Sequence, residues 1–145
     1  VFQTNGRKIM VMNSISIQVP SIGENIRMIE RFIDNAKERF HLDDDIYGNI
    51  MIAVTEAVNN ATKHGNSSDK SKNVQNSLSL EDSMIKFIVK DEGQGFDYGN
   101  LPDPTAPENL EKPGGRGIFL MKHLSDEVEF KDEGRVVELS FYMSN

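Results

Sequence analysis

Hydrophobic residues recur at helical spacing in a first segment near the start of the chain. The positions are three or four residues apart, which predicts a helix of about five turns; they are Ile26, Ile29, Ile33, Ala36 and Phe40. Ser21 and Glu24 stand three apart just before this stripe and have the spacing of a capping box. The pattern therefore predicts a helix that starts after Ser21 and ends in a turn at His41.

A second helical stripe follows, and it predicts a helix that runs to about His64. Its apolar members are Ile46, Ile50, Ala53, Val54, Ala57, Val58 and Ala61. The aspartates at 43–45 suit the positive start of a helix, and Gly65 predicts a left-handed stop. Glu56 and Asn60 are four residues apart, so they lie on one face beside the stripe.

The rest of the chain predicts strands, loops and one further short helix. Ser14 to Val19 alternates and meets Pro20, whereas 66–73 is polar and predicts a surface loop. The other predicted strands are 74–80, 84–90, 128–130 and 136–142, and a helix is predicted after Gly117. Four of the five prolines lie in 98–113, which predicts a long loop, often a lid.

These elements predict an α+β fold: a two-layer sandwich with helices packed on one face of a mixed, mostly antiparallel sheet. The β-α-β-α alternation of a Rossmann fold is missing. A length of 145 residues predicts a single domain over 14–145, with 1–13 as an N-terminal extension or an expression remnant.

Charge and composition narrow the function classes. A net charge of −7 argues against direct nucleic-acid binding and against binding to an anionic membrane. The chain has no cysteine, no long apolar run and no signal-peptide pattern, so we expect a cytoplasmic protein.

Three short motifs could carry chemistry. Glu56 could take a proton, and the amide oxygen of Asn60 could bind a hard cation. Asp91 begins D-x-G-x-G after a predicted strand and could accept a hydrogen bond from an amine such as that of adenine, although Asp and Gly are also ordinary turn residues. The glycines of 114–117 open a predicted helix and could bind an anion with Arg116; alternatively, they form a loop end with a solvated arginine.

Taken together, the order E-x-x-x-N, D-x-G-x-G, proline-rich segment and G-x-G resembles the GHKL ATPase family, which has the Bergerat ATP-binding fold. The resemblance covers Ser14 to Tyr142. The segments TEAVNNATKHG, DEGQGFD and GGRGIFLMKHLSDEVEF are most similar to the anti-sigma-factor serine kinases. The resemblance implies ATP and Mg²⁺ as ligands, a sigma factor and a STAS-type anti-anti-sigma protein as partners, and a homodimer that could pair through the strand at Ser14.

The resemblance also implies a role for each matching residue. Glu56 matches the general base, Asn60 the magnesium ligand and Asp91 the carboxylate that reads adenine. Glycines match those that line the nucleotide, with Gly93 and Gly95 beside base and ribose, and Gly115 and Gly117 around the phosphates. Either Lys112 or Arg116 could contact the terminal phosphate, and Arg135 stands near a position where the family often has a threonine.

Three other functions stay open at this stage. The chain could be an ATP-loaded switch that binds a partner without kinase activity. It could be the catalytic half of a histidine kinase, although a strand stands where the dimerising helix would end. It could also be a structural domain without a ligand. The sequence names neither the sigma factor, nor the substrate serine, nor the triggering signal.

Overall fold

The computed structural model describes residues 14–95 and 115–143. Its strands and helices follow the predicted order. They are β1 (Ser14–Pro20), α1 (Asn25–Phe40), α2 (Asp44–Asn60), a π-helical turn (Ala61–Gly65), β2 (Asn73–Glu81), β3 (Met84–Lys90), α3 (Gly115–Leu124), β4 (Glu127–Lys131), a 3-10 turn (Asp132–Gly134) and β5 (Val136–Tyr142). The predicted lid at 98–113 lies outside the described residues, together with Lys112.

The five strands form one sheet in the order β1-β2-β3-β5-β4. The four pairings among them are all antiparallel, whereas the sequence predicted a mixed, mostly antiparallel sheet. The register places Phe87 of β3 opposite Leu78 of β2 and Leu139 of β5. Because side chains alternate along a strand, these residues share one face of the sheet. That face carries the core.

The helices of the described residues pack on this apolar face, as the sequence predicts. Helix α1 buries Ile29, Phe32, Ile33 and Ala36, and α2 buries Ile50, Ala53, Val54, Ala57 and Val58. The rings of Phe32 and Phe87 meet edge to face with centroids 5.9 Å apart, which joins α1 to the central strand. The α+β two-layer prediction is therefore confirmed. Within 14–95 and 115–143, no helix is long and apolar enough to cross a membrane.

The predicted capping box at the start of α1 is wrong. Glu24 is the residue before the helix, and no side chain caps it. The Ser21 hydroxyl instead donates to the Lys72 carbonyl oxygen at 2.8 Å and accepts from the Asn66 amide at 2.8 Å. Long-range partners thus outcompete the local cap. The predicted end is confirmed, since His41 turns into the left-handed region with φ 54°.

Helix α2 begins as predicted, because the Asp43 carboxylate accepts the Ile46 N–H at 2.9 Å. Its end differs from the prediction. Gly65 is no left-handed stop: it closes the π-helical turn, and the Asn66 N–H donates to the Ala61 carbonyl oxygen at 2.8 Å. Asn66 is also fully buried, so the predicted surface loop begins with an interior residue.

Candidate functional site

A cavity of about 240 Å³ lies between the end of α2, the start of α3 and the sheet. Most of its lining among the described residues is apolar and includes Ala57, Val89, Ile118, Met121, Phe130 and Val137. Four polar side chains among the described residues line the same cavity, those of Asn60, His64, Asp91 and Arg135. An apolar slot with a few convergent polar groups is the usual form of a small-ligand site.

Asp91 follows β3 and lies at the sheet side of the cavity with only 6% of its surface exposed. One carboxylate oxygen, Oδ1, accepts the Gly93 N–H at 2.8 Å. Within the described residues no hydrogen bond ends on Oδ2. Burial raises the pKa of Asp91 above its ordinary value, opposed by the Gly93 N–H and by the charge of Arg135.

The end of α2 lies very close to residues 91–95, which follow β3 and are called the Asp91 loop here. This close approach requires two glycines. A β-carbon on Gly65 would overlap the Asp91 carboxyl carbon, and one on Gly93 would overlap the Gly65 carbonyl. This explains Gly65 by close approach, where the sequence suggested a helix stop. Gly95 adopts φ +84° and lies against the Glu133 carbonyl oxygen, so both the conformation and the space favour glycine.

Glu56, Asn60 and Gly117 come together although about 60 residues separate them along the chain. A β-carbon on Gly117 would lie 3.1 Å from Asn60 Nδ2 and 3.4 Å from Glu56 Oε2. The predicted pair on α2 therefore faces the glycine-containing start of α3. Helix α3 begins at Gly115, so it includes this glycine and Gly117, which were predicted to precede it, and Arg116 is exposed.

Arg135 organises the loop in a way that the sequence did not reveal. Its Nε donates to the Gly93 carbonyl oxygen at 2.8 Å, and Nη2 donates to that of Gln94 at 3.2 Å. Its own carbonyl oxygen accepts the Asp91 N–H at 2.9 Å. Arg135 thus fastens the loop to the closing hairpin, where the resemblance led us to expect a threonine.

The donor set fits a nucleotide and one magnesium ion. A flat base with an amine would suit an apolar slot that ends on the Asp91 carboxylate. Within 14–95 and 115–143, no group of three or more aspartate, glutamate, histidine or cysteine side chains is arranged so that it could hold a metal ion. Mg²⁺ keeps several waters and takes few protein ligands, so a single amide oxygen such as that of Asn60 is chemically sufficient.

Fold and site together define a GHKL-type domain, in which one helix faces both an apolar pocket and a glycine-containing helix start. The chain belongs to the histidine kinase-like ATPase domain family, whose model matches residues 19–141.

Curated relatives align with this chain over most of their length. The serine-protein kinases RsbW of Staphylococcus aureus strains JH9 and Newman are each 29% identical over 137 residues, which cover 89% of this chain and 86% of theirs. Among solved structures, the RsbU and RsbW domains of Rv1364c from Mycobacterium tuberculosis match with a TM-score of 0.67 at 17% identity. That match covers 91% of this chain and 33% of the other, and it shows the shared fold.

Proposed function

We propose that the chain is an anti-sigma factor and an ATP-dependent protein serine kinase. In this proposal it binds a sigma factor, and it transfers the terminal phosphoryl group of ATP to a serine of a STAS-type anti-anti-sigma partner. The observation that carries the proposal is the meeting of Glu56 and Asn60 at Gly117, beside a pocket that contains Asp91. The similarity to proteins described as serine-protein kinases supports it.

The two ends of the site have different tasks. At the base end, Asp91 Oδ2 accepts a hydrogen bond from the exocyclic amine of adenine, and Gly93 and Gly95 allow the backbone to approach base and ribose. At the other end, Gly115 and Gly117 lie along the phosphates. Either Arg116 or Lys112 contacts the terminal phosphate.

Glu56 is the general base in this proposal and takes the proton from the attacking serine hydroxyl. Asn60 would hold Mg²⁺, and the bound ion would neutralise phosphate charge. Phosphoryl transfer needs mainly positioning and charge neutralisation, so a short list of side chains suffices. The general base Glu56 stands one helical turn from the proposed metal ligand Asn60. This spacing keeps the serine hydroxyl and the phosphate on the same side of α2.

The variant Glu56→Gln tests the proposal. It keeps the shape of the side chain and removes its basicity, so transfer of labelled phosphate from ATP to the STAS partner should fall by roughly 10²- to 10⁴-fold. The affinity for ATP, measured by calorimetry, should stay that of the wild type. Glu127→Gln, at an exposed strand position, is the matched control and should transfer normally.

Two results would contradict the proposal in different ways. Unchanged phosphate transfer by Glu56→Gln would remove Glu56 as the base. A wild-type protein that binds ATP and a sigma factor but phosphorylates no STAS candidate would instead indicate an ATP-loaded binding switch.

We also propose a cytoplasmic homodimer. Strand β1 is at the edge of the described sheet, where its outer backbone groups could pair with a second copy. Sedimentation velocity should give a dimer mass in the presence of ATP, and a monomer at all accessible concentrations would contradict this part.

A further inference from the structure

Asn66 is a fully buried amide just beyond the end of α2, and each of its polar groups has a partner. Its side-chain oxygen accepts the Glu92 N–H at 2.7 Å. Its side-chain nitrogen donates to the Ser21 hydroxyl at 2.8 Å and to the Asn73 carbonyl oxygen at 3.0 Å. Its backbone N–H closes the π-helical turn on Ala61. Asn66 therefore joins the end of α2 to the segment between β1 and α1, to β2 and to the Asp91 loop.

The bond from Glu92 to Asn66 controls the position of the neighbouring Asp91. The Asp91 backbone is held on one side by the Arg135 carbonyl oxygen and on the other by this Glu92 bond. Its carboxylate then packs against Gly65, the residue directly before Asn66. Loss of the Asn66 oxygen would leave the Glu92 N–H without its partner. The loop would then be held by its three hydrogen bonds to Arg135 and by the Glu92 carboxylate, which accepts the Asn73 N–H, and the peptide between Asp91 and Glu92 could shift.

The donor and acceptor pattern at this place suits asparagine and excludes close substitutes. Aspartate has the same shape but no N–H group, so it could not donate to the Asn73 carbonyl oxygen, and it would bury a charge. Serine is too short to reach Glu92 and Asn73 together, since Asn66 spans from one to the other. The site therefore depends on a primary amide.

We propose that Asn66 is a positioning residue that holds Asp91 in place to read the exocyclic amine of a purine. This inference rests on the proposed function, because it assumes that ATP occupies the pocket. Asn66 touches no ligand itself. It sets the distance between the Asp91 carboxylate and helix α2, and through that distance it sets the preference for adenine over a base with oxygen in place of the amine.

The experiment compares ATP with ITP, which differs from ATP by carrying oxygen in place of the exocyclic amine. Calorimetry gives Kd for both nucleotides with Mg²⁺, for the wild type, Asn66→Ser and Asn66→Asp. In both variants we expect ATP to bind about 3- to 10-fold more weakly while ITP changes little. The ratio of the two Kd values therefore moves toward one, which a general loss of stability would not produce.

Two further variants separate positioning from stability. Asn76→Ser removes another buried amide, which is 2% exposed and donates to the Val74 carbonyl oxygen at 3.1 Å, away from the cavity. It should lower the melting temperature and leave the ratio unchanged. Ser21→Ala removes one acceptor of the Asn66 amide but leaves Asn66 in place, and it should shift the ratio in the same direction by less.

The outcomes distinguish this inference from the proposed function. A wild type that discriminates between ATP and ITP, with Asn66→Ser and Ser21→Ala discriminating equally well, would overturn the positioning role alone. A wild type that binds both nucleotides equally would overturn the reading of adenine by Asp91, and the positioning role with it. If neither Asn66 variant folds, an unchanged ratio in Ser21→Ala overturns the positioning role.

Discussion

Asp91→Asn should separate nucleotide binding from folding stability, because the structure fixes how the new amide would be oriented. Oδ1 accepts the Gly93 N–H at 2.8 Å, so the oxygen of the substituted side chain would keep that position. Its NH₂ group would then replace Oδ2, the oxygen that no described residue hydrogen-bonds. A donor would face the adenine amine where an acceptor stood before.

The size of the effect follows from the hydrogen bond that is lost. A hydrogen bond to a charged group contributes about 1.5–3 kcal/mol, which corresponds to roughly 10- to 150-fold in Kd for ATP. Because the NH₂ group of the variant would also face the adenine amine, donor against donor, we expect the loss of affinity to lie in the upper part of that range. ITP presents an oxygen at the same place, so the variant should bind ITP at least as well as the wild type does.

Although Asp91→Asn should weaken ATP binding, it should not lower the folding stability of the protein. Burial raises the Asp91 pKa in the folded protein above that of the unfolded chain, which is about 3.9. The folded state therefore binds the proton more tightly, and this carboxyl disfavours folding increasingly as pH rises from the unfolded pKa through the folded one. The amide variant lacks that cost, so at neutral pH it should be at least as stable as the wild type, with the difference shrinking at acid pH.

Calorimetry with ATP and ITP, and urea unfolding across pH, measure the two effects on the same samples. Asp82→Asn is the matched control, since Asp82 is exposed in the β2–β3 turn and asparagine tolerates its φ of 52°. A variant that binds ATP normally would refute the reading of adenine by Asp91. A variant that is less stable at neutral pH would refute the account of the buried charge.

Three further substitutions examine the parts that surround Asp91. Gly65→Ala places a methyl group against the Asp91 carboxyl carbon. It should lower the free energy of unfolding in urea by about 1–3 kcal/mol and weaken ATP binding. A normal affinity for ATP would mean that the Asp91 loop can move aside. Arg135→Lys keeps the charge but loses the guanidinium group that donates to the carbonyl oxygens of Gly93 and Gln94. The affinity for ATP should therefore fall by about 3- to 10-fold. Wild-type affinity would show that a single cation at this position is sufficient. Phe87→Ala removes a fully buried ring at the centre of the sheet and should cost about 3–5 kcal/mol by urea unfolding, and a cost below about 1 kcal/mol would contradict the described core.

The fold was predictable because its helices and strands follow simple periods. Five members of the stripe predicted for α2 are buried in the helix, and the strands predicted over 74–80 and 84–90 correspond to β2 and β3. Local side-chain chemistry was less predictable. Ser21 has the spacing of a helix cap, but its partners are Lys72 and Asn66, more than forty residues away along the chain. A capping rule uses only near neighbours, so it could not anticipate that competition.

The candidate site was likewise predictable only where local spacing determines the arrangement of its residues. Glu56 and Asn60 share a face by helical spacing alone, but their approach to Gly117 depends on the packing of α3, for which no local signal exists. Only the resemblance to a family linked these motifs. Asn66 escaped notice, and Arg135 was noted only as a departure from the family pattern, because an asparagine after a helix and an arginine after a hairpin turn are ordinary surface residues. Their importance arises from partners on the Asp91 loop, which are distant in sequence.

The π-helical turn gives a physical reason why the base end and the reaction end can act as one unit. Helix α2 carries Glu56 and Asn60, and the turn continues it without a break to Gly65, whose backbone lies against Asp91 and Gly93. The Asn66 N–H closes that turn, and the Asn66 side chain fixes the Asp91 loop. If the proposed function holds, a shift of adenine in the pocket would therefore press on the same helix that carries the proposed general base. Preorganisation of this kind matters for phosphoryl transfer, because small misplacements of the reacting groups cost large factors in rate.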